Sequence, residues 1–308
     1  MTSTHLLGPQ RFLTTAGAVV RGLDVDGPVA TITAGWEERE SDDEELDSVL
    51  DGRSQNLRLY GRMMDVLERD PVVAEAALAL RDAVDDLAGA YGIRLQHALD
   101  AVYALRRRKG GRDDVIAAAY SDGIEAVRRL DTWYLDEVRA LYGELYASGA
   151  AGGSELWAEH RGEVAEALAG ASVLAVAGGH VGMLLRTMQF FSVRPPTELP
   201  VVAWSAGAMV MTRTVVLFND FTESHPGAEV WDRGLARVEH VIALPHARRR
   251  IHLEDRVRTQ IFVRRFQGYA CLLLDDGARV EVGPDGALPA GARVLLADGT
   301  VGVVEDAA

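Results

Sequence analysis

Short, unbroken apolar runs alternate with helically spaced ones at both ends of the chain, and long helical spacing fills its middle. Near the start, Thr4-His-Leu-Leu7 predicts a strand that stops at Gly8-Pro9, and residues 11–23 carry helical spacing. Val29-Ala-Thr-Ile-Thr33 predicts a second strand, closing at Ala34-Gly35. An acidic segment over 37–51 precedes Asn56-Leu-Arg-Leu-Tyr60, which has the pattern of a third strand. Such β-α-β alternation argues for a parallel sheet covered by helices.

The pattern then changes period. Asp70-Pro71 is a helix start, a capping carboxylate followed by proline in the first turn. Leu80, Val84, Leu87, Tyr91, Leu95, Leu99 and Val102 recur at threes and fours as far as the stop at Gly110-Gly111. Ile124, Val127, Leu130, Tyr134, Val138, Leu141 and Leu145 repeat the spacing before Gly149–Gly153. Helices of ~30 residues would each reach ~45 Å at 1.5 Å per residue. They predict an antiparallel pair inserted into the α/β domain, with a shorter helix over 155–169 leading back. Apolar helix faces need burial, so the pair is expected to roof the site or to pack against a second copy in a homodimer.

Ser172-Val-Leu-Ala-Val-Ala177 resumes the sheet, followed by Gly178-Gly179-His180 and a helix through Leu184, Leu185 and Met188. Further strands are expected at 199–204, 214–218, 238–244 and 271–274, with a basic amphipathic helix before the last of them. Arg293-Val-Leu-Leu-Ala297, Asp298-Gly299 and residues 301–304 predict a hairpin. The organisation read from the sequence is therefore a first part of the α/β core (1–60), a helical insertion (61–169), a second part of the core (170–285) and a C-terminal β-hairpin (286–308). The expected fold class is α/β, a mostly parallel sheet flanked by helices.

Composition narrows the function. A formal charge of −14 disfavours nucleic-acid binding. Cys271 is the single cysteine, in an apolar run that predicts a buried, inert thiol and a reducing compartment. The N-terminus lacks the pattern of a signal peptide and no run is long enough to span a membrane, so a cytoplasmic protein is expected. No metal-ligand spacing, P-loop or dinucleotide fingerprint is present, and no cofactor is expected.

One segment carries readable chemistry. In Ala203-Trp204-Ser205-Ala206-Gly207-Ala208 a lone serine sits where a buried strand turns directly into a helix. Such a corner pushes the hydroxyl out of the sheet beside free backbone N–H groups. A serine nucleophile needs a base, usually histidine, oriented by a carboxylate. His246 directly follows Val241-Ile-Ala-Leu-Pro245, which places it at a strand's carboxyl end. His252 is expected to face solvent. Asp276 and Asp220 both follow predicted strands, and spacing does not choose between them; Asp276-Gly277 also suits a hairpin turn before residues 279–282. The N–H of Ala206, with that of Gly179 or His180, would serve as oxyanion donor. The arginines of Arg248-Arg249-Arg250 suit a substrate carboxylate or a solvated face. Glu37 or Glu38 suits a substrate cation, or else the start of the helix running to Leu50.

Gly178-Gly179-His180, Ser205-Ala206-Gly207-Ala208, His246 with arginines behind it, and Leu274-Asp275-Asp276 together resemble the landmarks of the peptidase S51 group, the aspartyl dipeptidases and cyanophycinases. The resemblance covers residues 4–60 and 170–285 and implies a class I glutamine amidotransferase-like fold. It implies Ser205 as nucleophile, His246 as base, and Gly179 and Ala206 at the oxyanion. In the dipeptidase branch the carboxylate lies in an Asn-Asp pair like Asn219-Asp220; in the cyanophycinase branch it lies in a late acidic pair like Asp275-Asp276, and Asp276 is preferred here. His180 stands where the family usually has Asn or Asp, and Trp204 would line the pocket. The expected substrate is a small peptide or isopeptide with an acidic residue near the scissile bond. Two other readings share the fold: a non-catalytic or regulatory protein that uses its helices for assembly, and an amidase or esterase acting on a non-peptide metabolite.

Overall fold

The computed structural model describes residues 3–147, 149–218, 227–283 and 286–305. Its strands are β1 (Thr4–Leu7), β2 (Val29–Ile32), β3 (Ser54–Asn56), β4 (Val173–Val176), β5 (Val201–Trp204), β6 (Thr214–Phe218), β7 (Ala228–Arg233), β8 (Val241–Pro245), β9 (Ala270–Leu274), β10 (Arg279–Val282), β11 (Arg293–Leu295) and β12 (Val301–Val303). A six-stranded sheet has the order β10-β1-β5-β4-β2-β3, parallel throughout except for β10 at its edge. Strands β2, β4 and β5 are buried along their whole length, as expected where helices cover both faces of a parallel sheet. Successive side chains enter opposite layers: Leu6, Ile32, Val176 and Ala203 go into one core, and Leu7, Ala175, Val202 and Trp204 into the other. The register pairs Leu7 with Trp204 and Ile32 with Val176, so the carboxyl ends of β1, β5, β4 and β2 form one edge.

A second sheet has the order β12-β11-β9-β8, with β8 and β9 parallel, and β6 pairs with β7. The C-terminal hairpin β11–β12 forms as expected and joins this sheet through β9. The hairpin suggested for Asp276-Gly277 does not form. That turn instead carries the chain from β9 in the second sheet to β10, which pairs with β1 in the first (Leu6 opposite Val280). The expected strand over 56–60 is displaced to Ser54–Asn56, because Leu59 already begins a helix, Leu59–Arg69.

Asp70 caps the helix Pro71–Arg107 by accepting from the N–H groups of Val72 and Val73. This 37-residue helix and its 35-residue partner, Asp113–Ala147, form the long antiparallel pair. Their apolar stripes (Leu95, Leu99 and Val102 with Ile124 and Val127) pack with Ile242, Leu244 and Leu273 of the second sheet. The stripes are buried within the chain from Tyr91 to Val102 and from Ile124 to Val138, whereas Leu80, Val84 and Leu87 stay partly exposed. A buried polar joint fixes this docking: the Arg265 guanidinium donates to both Asp131 oxygens (2.7 and 2.6 Å), to the Tyr91 hydroxyl and to the Ala228 carbonyl. Every charge there is paired and hydrogen-bonded, as burial requires. Cys271 is buried, and desolvation pushes its thiol up to about 12, in keeping with an inert core thiol. Among the described residues no helix is long and apolar enough to cross a membrane.

Candidate active site

β5 ends at Trp204, and the chain turns at Ser205 into the helix Ala206–Met211. Ser205 holds φ 52° and ψ −120°, a conformation that non-glycine residues rarely adopt. Two backbone bonds impose it: its N–H donates to the Leu7 carbonyl (3.1 Å), and its carbonyl accepts from Met209 (3.2 Å). Its side chain does not cap the helix, so the half-buried hydroxyl is not spent on its own backbone.

The adjacent turn, after β4, is built around it. A Cβ on Gly178 would stand 2.9 Å from the Ser205 Cβ, so only glycine lets the two turns approach so closely. Gly179 has φ 131°, and a Cβ there would meet the Gly35 carbonyl oxygen at 2.3 Å. The His180 N–H donates to that same oxygen (2.7 Å) and is thereby removed as an oxyanion donor. Among the described residues the N–H groups of Gly179 and Ala206 have no acceptor. The His180 ring is exposed and caps the helix Val181–Phe190, its Nδ1 accepting from the Met183 N–H at 3.0 Å. It thus takes the helix-starting role in which Asn and Asp are preferred.

His246 follows β8 with φ 55° and ψ 36°, and its N–H is anchored to the Leu274 carbonyl of β9 (3.1 Å). Ser205 and His246 line one cavity of about 660 Å³, together with Gly178, Trp36 and Trp204. The hydroxyl and the ring are not hydrogen-bonded to one another among the described residues. Burial, then the Arg250 guanidinium, holds the His246 pKa below the ordinary imidazole range, with Arg249 acting in the same direction; Asp276 and, more weakly, Asp275 oppose them. The ring is therefore biased towards its neutral, proton-accepting form.

A sequence profile of peptidase family S51 matches residues 125–288, more than half of the chain. The chain belongs to peptidase family S51. It is a peptidase-type hydrolase. The matched span starts inside the helix Asp113–Ala147, so it takes in part of the helical insertion that the sequence resemblance had set aside, and it leaves residues 4–60 outside. No curated protein matches the chain.

In this S51 chain the two members of the late acidic pair differ. Asp275 accepts from the Arg248 backbone N–H (3.0 Å) and from Arg293 Nη1 (2.9 Å). Asp276 is exposed and lines a second cavity, about 590 Å³, on which His246, Arg248 and Arg249 also border. Arg248 thus lies in this second cavity and does not line that of Ser205. Asp220, the competing carboxylate, lies outside the described residues, as do Asn219 and His225. His252 faces solvent beside Glu254 (3.2 Å).

Glu37 neither starts nor caps the following helix, which spans Glu44–Val49. It sits within the 3-10 turn Ala34–Arg39 at φ 57° and ψ −125°, and its Oε1 lies 3.8 Å from His180 Nδ1. Glu38 instead accepts from the Tyr60 hydroxyl (2.9 Å). The sequence reading missed Arg11, Arg39, Asp42 and Glu45, all of which line the Ser205 cavity. Their signal was positional: they follow β1 and β2, whose carboxyl ends border the serine.

Proposed function

We propose that this S51 protein hydrolyses an amide bond in a small peptide or isopeptide by acyl transfer through Ser205. The Ser205 Oγ attacks the scissile carbonyl carbon while the His246 ring accepts the hydroxyl proton. The oxyanion is held by the N–H groups of Gly179 and Ala206, which water or substrate must otherwise satisfy. Collapse breaks the C–N bond as His246 returns the proton to the leaving amine; water then repeats the sequence and frees Ser205. Asp276 is assigned as the orienting carboxylate because it favours the charged form of His246 more than Asp275 does and, unlike Asp275, is not held by Arg293.

The observation that carries this reading is convergence: Ser205 and His246, at the ends of strands in different sheets, border the same cavity beside two amide donors that have no acceptor among the described residues. On the substrate side, Trp36 and Trp204 wall the Ser205 cavity, and His180 with Glu37 stands at its neighbouring turn. Arg248 and Arg249, across His246, support a substrate carboxylate near the scissile bond. A panel of aspartyl dipeptides and isopeptides assayed for amine release tests this. Turnover by the wild type, lost in Ser205→Ala with an unchanged melting curve, is expected; equal turnover by both contradicts it.

A further inference from the structure

A cavity of about 420 Å³ lies among the helices Leu59–Arg69, Pro71–Arg107, Asp113–Ala147 and Val181–Phe190, and shares no lining residue with that of Ser205. Its walls are apolar, and Met63, Met64 and Met183 supply three of the chain's seven methionines to them. Methionine is unbranched and adaptable, suited to a flexible apolar guest. Among the described residues no Asp or Glu lines this space, and its charged lining residues are Arg81 and Arg186. On a chain with 46 acidic and 32 basic residues, this lining runs against the overall charge.

The two arginines are not equivalent. Arg81 is paired with Asp82 (3.1 Å). Arg186 is half-buried and makes no hydrogen bond or ion pair among the described residues. A partly desolvated guanidinium against an apolar wall favours an anion that brings its own apolar body, and its planar fork matches a carboxylate.

We propose that this cavity binds an amphipathic carboxylate, the anion of a straight-chain fatty acid, with the tail among the methionines and the head on Arg186. Its volume falls within the ~300–1,000 Å³ of small-molecule sites. The inference does not depend on the role of Ser205.

Calorimetric titration of the full chain with dodecanoate and with dodecan-1-ol, each below its aggregation concentration, tests it. Saturable one-to-one binding of dodecanoate is expected, weakened about tenfold or more by Arg186→Gln, with the alcohol unaffected by that change. Ala77→Phe, which fills the cavity, should abolish binding of both, and Ser205→Ala should bind as the wild type does. No saturable binding by the wild type, or equal dodecanoate affinity in wild type and Arg186→Gln, overturns the proposal. Should Arg186→Gln fail to fold, undiminished binding by Ala77→Phe overturns it alone.

Discussion

Ser205 and Glu37 hold nearly the same backbone conformation, φ 52° with ψ −120° and φ 57° with ψ −125°, at the carboxyl ends of two strands separated only by β4. Both belong to a region that glycine tolerates and other residues enter at a cost. Strain of this kind persists where the surroundings over-determine it, and it collects at functional sites. Here the two strained turns flank Gly178-Gly179, so the edge of the sheet is held by its neighbours rather than by local preference.

Relief of that strain should separate stability from activity. Glu37→Gly is expected to stabilise the fold by about 1 kcal/mol, while lowering kcat/KM because the carboxylate beside His180 is lost. Thermal melting and a substrate titration on the same preparation check both halves. A melting temperature at or below that of the wild type would mean the conformation is not strained.

The electrostatics of His246 predict the pH profile. Its folded-state pKa lies below the ordinary value of 6.5, so the acid limb of kcat/KM should fall below that pH. Asp276 raises the His246 pKa; Asp276→Asn should therefore move the acid limb further down, and should lower kcat about 100-fold or more if the carboxylate orients the ring. The exposed position implies little effect on melting. Asp220→Asn should leave the profile in place. The reverse pattern would transfer the orienting role to Asp220.

A buried carboxylate away from the site gives an independent check on the packing. Desolvation pushes Asp232 on β7 up to about 6 from an ordinary 3.8, despite hydrogen bonds from Gln189 (3.1 Å) and the Arg233 N–H (2.6 Å). The folded state then binds more protons than the unfolded one between those values. Stability accordingly falls as pH rises through that window and carries the full penalty above it. Asp232→Asn should stabilise the protein by about 1–3 kcal/mol at pH 8, with the gain shrinking towards pH 4. Chemical denaturation at the two pH values checks it; an equal difference at both would show that Asp232 does not titrate in the folded state.

Much of this arrangement is written locally. The β-branched runs at 29–32, 173–176 and 201–204 announce strands buried on both faces, and Asp70-Pro71 announces its helix. The serine corner and its glycines were legible for the same reason: each needs only its immediate neighbours. β3 was misplaced because Ser54, Gln55 and Asn56 are polar. They are held by side chains distant in sequence, Thr31 to Ser54 (3.0 Å) and Asn56 to Asp43 (2.7 Å), instead of by an apolar pattern. β7 escaped notice because Asp232 occupies an inward position where alternation calls for an apolar residue. The division into two sheets was invisible, since β8 and β9 look like any parallel strands and nothing local says that β10 leaves them for β1. Asp42 and Glu45 likewise border the serine only through the closure of β2 beside β4.

The most direct test is intact-mass spectrometry of the full chain after exposure to a fluorophosphonate, with peptide mapping of the adduct. One covalent adduct, on Ser205, absent from Ser205→Ala and slowed in His246→Ala, is the result expected of a hydroxyl activated by that ring. A wild-type chain that stays unlabelled, or an adduct that persists in Ser205→Ala, would contradict it.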